Sequence, residues 1–127
     1  MNKKIITTAL ILGLLAIIFG AFGAHALKKF LTSEQLVSFE TGVRYQMYHA
    51  LFLLFLGGTR KIDEHKKNPI FVLILSGVIL FSGSIYLLTT QEITSVDISP
   101  IAFITPIGGM LLIVGWMVMI ISVLRKK

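Results

Sequence analysis

Three stretches of this chain run for eighteen or nineteen residues without a charge: Ile5 to Gly23, Ile70 to Leu88 and Ile107 to Leu124. A helix rises about 1.5 Å per residue and the hydrocarbon core of a bilayer is about 30 Å thick, so about twenty apolar residues make one crossing. A fourth stretch, "TGVRYQMYHALFLLFLGG" (Thr41 to Gly58), is purely apolar only from Ala50 onward. To cross, it must extend back to about Phe39, which places Arg44 and His49 at membrane depth. The expectation is an all-α membrane protein, a four-transmembrane-helix bundle forming a single integral membrane domain over 1–127. Its spans are 5–25, 39–58, 70–89 and 106–124, with outer loops 26–38 and 90–105 and a cytoplasmic loop 59–69. Helix two continues beyond its span as an amphipathic segment at the outer end.

Composition supports a membrane class. Hydrophobic residues make up 55% and charged residues 14%, against about a quarter charged in a soluble domain. Cysteine is absent, which removes disulfides, thiolate catalysis and cysteine-ligated metals. The net charge of +6 sits in short clusters beside the oily runs, suiting anionic lipid head groups. No basic face with interleaved aromatics points to nucleic acid. Lysine and arginine also orient the chain. Nine lie at the N-terminus, between spans two and three, and at the C-terminus; three lie on the opposite side. Positive residues stay cytoplasmic, so both termini are expected inside. "NKK", an oily run and "AHA" mimic a secretory signal. The run of nineteen residues exceeds the usual core of about 7–15, so a retained first helix is expected.

Start signals delimit the helices. Thr32 and Gln35 have capping-box spacing before helix two, with Ser33 as an alternative cap. Asn68 before Pro69, and Thr105 before Pro106, each place a capping side chain ahead of a proline at the first helical position. Helix one sets Ala9, Gly13, Ala16, Gly20 and Gly23 on one narrow stripe. Seven-residue pairs occur elsewhere: Ala50 with Gly57, Ser76 with Gly83, Gly77 with Ser84, and Gly108 with Gly115. Lipid tails are as apolar as leucine, so close packing of small residues is what joins helices in a bilayer.

On helix two, Glu40, Thr41, Arg44, Tyr45, Tyr48 and His49 share one half of the circumference. Leu36, Phe39, Val43, Met47, Ala50, Leu53 and Leu54 share the other, and Gln46 breaks the pattern there. The apolar arc is expected to face lipid while the polar arc turns into the bundle or towards the outer surface. An arginine at helix centre costs about 2.5–3.5 kcal/mol on insertion scales, so Arg44 calls for a partner. Glu40 stands in the favourable i,i+4 order, with Glu92 and Asp97 as alternatives. His25 and Tyr86 are placed near the same outer end. The cluster reads either as an interfacial clip and aromatic belt or as a ligand site.

Motifs for catalysis are missing. No G-x-S-x-G, Gly-rich phosphate loop or H-E-x-x-H occurs, and Ser82 and Ser84 suit bonds to backbone or to a neighbouring helix. His25 and His49 lie on separate helices with no further histidine pair to complete a haem or metal site. His65 in "DEHKK" reads as solvated surface, and Trp116 as a bundle or lipid contact. No metal or cofactor is expected.

The blocks "FGAFGAHALKK", "FETGVRYQMYHAL", "LFSGSIYLL" and "ITPIGGMLLIVGW", in that order, resemble the four-span membrane proteins grouped as domain of unknown function 423, a pattern shared with small eukaryotic transmembrane proteins. The resemblance covers nearly the whole chain. The matching residues are Gly23, Ala24, His25 and Ala26; Tyr45, Gln46, Tyr48, His49 and Ala50; Phe81, Ser82, Gly83, Ser84 and Tyr86; and Thr105, Pro106, Gly108, Gly109 and Trp116. It implies a small polytopic protein of the bacterial plasma membrane and no particular activity. The leading expectation is a non-enzymatic bundle whose partners are membrane lipids, other copies in a homo-oligomer, or another membrane protein. The second is an oligomeric transporter or channel subunit using the polar cluster of helix two, and the third a haem or quinone protein.

Overall fold

Asn2 opens the first helix, its side-chain oxygen accepting the Ile5 N–H at 3.1 Å. In this computed structural model, which describes residues 1–94, 97 and 99–126, helix α1 (Lys3–Ile18) runs through a π-helical turn (Phe19–Gly23) into a short α2 (Ala24–Leu27). A turn leads to α3 (Ser33–Gly58), followed by α4 (Glu64–Thr89), a single turn α5 (Gln91–Thr94), a 3₁₀ turn (Ser99–Phe103) and α6 (Ile104–Arg125). No strand occurs among the described residues. Three helical stretches are long and apolar enough to cross a membrane: Lys3–Leu27, Glu64–Thr89 and Pro100–Arg125. Helix α3 matches α4 in length, 26 residues each, but its first half is too polar to qualify on composition.

The capping box at Thr32 and Gln35 forms as the spacing predicts. Thr32 Oγ1 accepts the Gln35 N–H at 3.1 Å, and Gln35 Oε1 accepts the Thr32 N–H at 2.9 Å. The two proline caps do not form. Helix α4 starts at Glu64, five residues before Pro69, and Asn68 Oδ1 accepts instead from Lys4 Nζ of α1 at 2.9 Å. Helix α6 grows directly out of the 3₁₀ turn, and Thr105 bonds with Ser84 of α4. Pro106 is tolerated because the first turn of a helix needs no N–H from it.

The long helices pack in chain order, α1 on α3, α3 on α4 and α4 on α6, with no comparable packing between α1 and α6. The result is an open row instead of a closed square of helices. Its apolar core gathers Ile5, Leu53, Leu56, Ile70 and Ile74, all fully buried, with Ala9, Val78, Leu112 and Met119 around them. Small residues set the spacing. Along α1, a Cβ built at Gly13 meets the Ala50 Cβ at 3.8 Å, one at Gly20 meets Val43 Cγ1 at 3.3 Å, and one at Gly23 meets Phe39 Cζ at 3.4 Å. Ala9 and Ala16 are buried. Between α4 and α6 the approach is closer: a Cβ at Gly108 would lie 2.8 Å from the carbonyl carbon of Leu80 and from Phe81 Cα. At Gly77 it would lie 2.7 Å from Leu112 Cδ2, and at Gly115 2.6 Å from Ile74 Cδ1. Gly83, expected on a packing face, has nothing within 4 Å; its side of α4 is turned away from both neighbours.

Candidate functional site: the polar spine of α3

Helix α3 is sandwiched between α1 and α4, and the face it buries is the reverse of the expected one. Phe39, Gly42, Gln46, Ala50 and Leu53 are buried, while Glu40, Arg44, Tyr45 and Tyr48 lie exposed. The apolar arc packs inward and Gln46 goes in with it. The physical reason is in the acceptors and donors on offer. A carboxamide carries two donors and an acceptor, and here each side finds a partner: Gln46 Nε2 donates to the Leu12 carbonyl of α1 at 2.8 Å, and Gln46 Oε1 accepts from the Tyr86 hydroxyl of α4 at 2.7 Å. One side chain thus joins three helices. Tyr86 is held between Phe19 of the π-helical turn, at 5.3 Å between ring centroids, and Phe39, at 5.2 Å.

Gly42 lies one turn before Gln46. Its carbonyl accepts from Ser82 Oγ at 2.7 Å, and a Cβ there would be 2.9 Å from Tyr86 Cε1. A glycine is therefore needed for α4 to come close enough to form both bonds. Neither the Gly42 contact nor the Gln46 bridge was legible in the sequence. The only sign was Gln46 standing alone on an apolar arc.

His49 is the member of the polar arc that does turn inward, 4% exposed. Its Nδ1 lies 2.6 Å from the Tyr45 carbonyl, and Trp116 Nε1 of α6 lies 3.0 Å from its Nε2. A carbonyl only accepts and an indole N–H only donates. The two partners together assign a neutral imidazole with its proton on Nδ1. Tyr45, Phe52, Phe81 and Trp116 surround this pair, with Phe52 and Trp116 at 4.6 Å and Tyr45 and Phe81 at 4.9 Å between centroids. Both ring nitrogens are taken, so a ligand or metal on His49 would have to displace a bond already made. Among the described residues no three metal-binding side chains converge.

The remaining expected members do not join. Arg44 donates to Thr41 Oγ1 at 3.2 Å, and no ion pair among the described residues includes it or Glu40. The side chain of Glu92 lies outside the described residues. His25 is exposed on α2 and takes no part in the ring contacts or hydrogen bonds of the spine. Ser84 packs at the other seam, donating to the Phe81 carbonyl at 3.0 Å.

A second polar node closes the opposite end of α3. Lys67, expected in a cytoplasmic loop, is 0% exposed on the first turns of α4. Its ammonium donates to Glu64 at 2.8 Å and reaches the Gly57 carbonyl at 3.4 Å, which also accepts the Asn2 N–H at 2.8 Å. A cation here faces the negative end of the α3 dipole. Glu64 and Lys67 stand three apart, a helical pairing that the sequence carried. Among the described residues, no buried side-chain nitrogen or oxygen lacks a partner.

Comparison with known proteins adds a family. A family model described as "Protein of unknown function (DUF423)" matches residues 19–109, a segment that contains the π-helical turn, the spine of α3 and the Gly108 crossing. A UPF0382 membrane protein of Staphylococcus saprophyticus is 39% identical over 112 residues, covering 88% of this chain and 89% of that one. The UPF0382 membrane protein YwdK of Bacillus subtilis is 34% identical over 125 residues, 97% of this chain and 98% of its own. The UPF0382 inner membrane protein YgdD of Escherichia coli is 32% identical over 131 residues, 99% of this chain and 93% of its own. No solved structure matches.

Proposed function

Because the chain belongs to the DUF423 family of membrane proteins of unknown function, we propose that it is a four-span protein of the plasma membrane with both termini in the cytoplasm. It acts without catalysis, through its outer surface, on lipid or on another membrane protein. The observation that carries this reading is the position of α3. It hydrogen-bonds inward through Gln46 to an apolar helix on either side. If those two helices cross the bilayer, the helix bonded between them crosses with them, its exposed Arg44 reaching the outer head groups by snorkelling. The name of the Escherichia coli relative, an inner membrane protein, agrees with the plasma membrane. The cationic clusters beside Gly58 and at both chain ends support a cytoplasmic position for that side. The polar side chains inside the row bond one another, which suits cross-linking of helices more than proton transfer.

The absence of cysteine makes single-cysteine labelling a direct test. With a membrane-impermeant maleimide on intact cells, Phe30→Cys and Pro100→Cys are expected to react at once. Lys3→Cys and His65→Cys are expected to react only after permeabilisation. Equal behaviour of Phe30→Cys and His65→Cys would take α3 out of the membrane. Crosslinking in native membranes that recovered isolated monomers, with neither partner nor lipid, would remove the interaction reading.

A further inference from the structure

Helices α3 and α6 both lean on α4 and meet chiefly through side chains such as His49 and Trp116. A furrow therefore runs between them, open along the outer surface of the row. Two hollows lie end to end in it. One, of about 450 Å³, is lined by Tyr45, His49, Phe81, Gly109, Ile113 and Trp116. The other, of about 420 Å³, continues past Trp116 between Phe55 and Ile120. The walls are almost wholly apolar.

At the head of this furrow the surface changes character. Arg44, Tyr48, Thr41 and Tyr45 follow one another around the same flank of α3 at about 100° per residue, and the Tyr45 and Tyr48 rings are 5.7 Å apart. Arg44 is exposed and bonded to a hydroxyl. The Tyr45 and Tyr48 hydroxyls make no hydrogen bond among the described residues. Arg44 stands fourteen residues before Gly58, about 21 Å along the axis. In a core about 30 Å thick that begins at Gly58, it lies in the outer leaflet, beyond the midplane. His49 falls close to the middle. A cation with no acidic partner among the described residues thus sits above an apolar furrow whose first hollow, from Tyr45 to Trp116, lies in the outer leaflet and whose second continues into the inner one.

We propose that this furrow holds an anionic phospholipid of the outer leaflet, its phosphate on Arg44 and one acyl chain lying between α3 and α6 past Tyr45 towards Trp116. The assignment rests on the four-span reading above, which sets the depth of Arg44. Charge complementarity selects the head group, because a guanidinium binds a phosphate through several charge-assisted hydrogen bonds. The furrow selects a chain over a free phosphate.

The test is native mass spectrometry of the full chain released from nanodiscs of equimolar phosphatidylglycerol and phosphatidylcholine with identical acyl chains. The unaltered protein is expected to retain phosphatidylglycerol in preference. Arg44→Gln is expected to lower that retention about tenfold, the effect of losing one hydrogen bond to a charged group. Gly109→Leu is expected to lower retention of both lipids by filling the furrow: its Cβ makes an ordinary 3.7 Å contact with Phe81, and an unchanged unfolding midpoint in micelles checks that the fold is kept. Equal retention of the two lipids, unchanged retention in either variant, or a dimer carrying no lipid in its place would overturn the proposal. The same variants carrying Phe30→Cys or His65→Cys report topology in intact cells. Normal labelling with failed retention overturns the lipid site alone, whereas Phe30→Cys and His65→Cys labelling alike overturns the four-span reading, and reversed labelling overturns its orientation.

Discussion

The α1–α3 seam and the α4–α6 seam are both built from small residues, yet they work differently. From Gly13 through Gly20 and Gly23 of the π-helical turn, the glycines face side-chain atoms at 3.3 Å or more, and the seam is held there by the Gln46 bridge to the Leu12 carbonyl; its tight point is at the foot, where a Cβ at Gly57 of α3 would lie 2.7 Å from Ile6 Cγ1. In the α4–α6 seam, Gly108 of α6 presses against backbone, and Gly115 of α6 and Gly77 of α4 accept side chains into their own space. Small residues at a helix interface therefore do not carry one energetic meaning. Where a missing Cβ leaves room, glycine is replaceable; where it admits a neighbouring main chain, nothing larger fits.

That contrast gives a ranking of expected effects. Gly108→Ala should be the most damaging, because the added carbon meets Leu80 and Phe81 backbone that cannot rotate away. Overpacking of this kind costs about 1–3 kcal/mol, at the upper end here, read as a lower unfolding midpoint in detergent micelles. Gln46→Leu should cost less, about 1 kcal/mol, since interhelical hydrogen bonds in membranes are individually modest. The loss should also be non-additive with Tyr86→Phe in a double-mutant cycle, because both remove the same bond. Gly13→Ala should change stability by no more than about 0.5 kcal/mol. A loss from Gly13→Ala as large as that from Gly108→Ala would erase the distinction between the seams.

The smallest expected effect concerns the clasp between α6 and the turn before α4. Lys126 pairs there with Asp63, and that hydrogen bond holds the Asp63 carboxyl below its ordinary 3.8. A depressed carboxylate contributes stability above its unfolded value and loses it as pH falls through the folded one. Acid titration of the midpoint should therefore show a slight fall below pH 3.8 that Lys126→Met reduces, the charges of Lys66 and His65 leaving a remainder. Both groups are solvent-accessible, so salt should weaken the effect.

The sequence was informative where a local rule had local consequences. The capping box at Thr32 and Gln35 lies within one turn, and the uncharged runs of α1, α4 and α6 need only length and composition. The prolines misled because Asn68 and Thr105 found partners in other helices, Lys4 and Ser84, which took precedence over capping their own. The polar arc of α3 misled for a related reason. Polarity alone suggested that Arg44 turns into the bundle or towards the outer surface; its long side chain can carry its charge to the head groups from within the helix, whereas the short carboxamide of Gln46 has to find its partners inside. The π-helical turn at Phe19–Gly23 carried no periodic signal at all.

What the sequence determined by itself was an all-helical membrane chain, with three helices whose length answers to the bilayer. Hydropathy and hydrogen bonding within a helix are satisfied inside each segment, without reference to any other. Only the tertiary structure decided which face of α3 is buried, that Gly42 and Lys67 are enclosed, and that a furrow opens between α3 and α6. Each of these depends on an atom supplied from far along the chain: the Leu12 carbonyl for Gln46, the Tyr86 ring over Gly42, the Gly57 carbonyl for Lys67, Trp116 for His49. A polar group in a low-dielectric interior goes where its partner is, and the partner's position exists only once the helices have met.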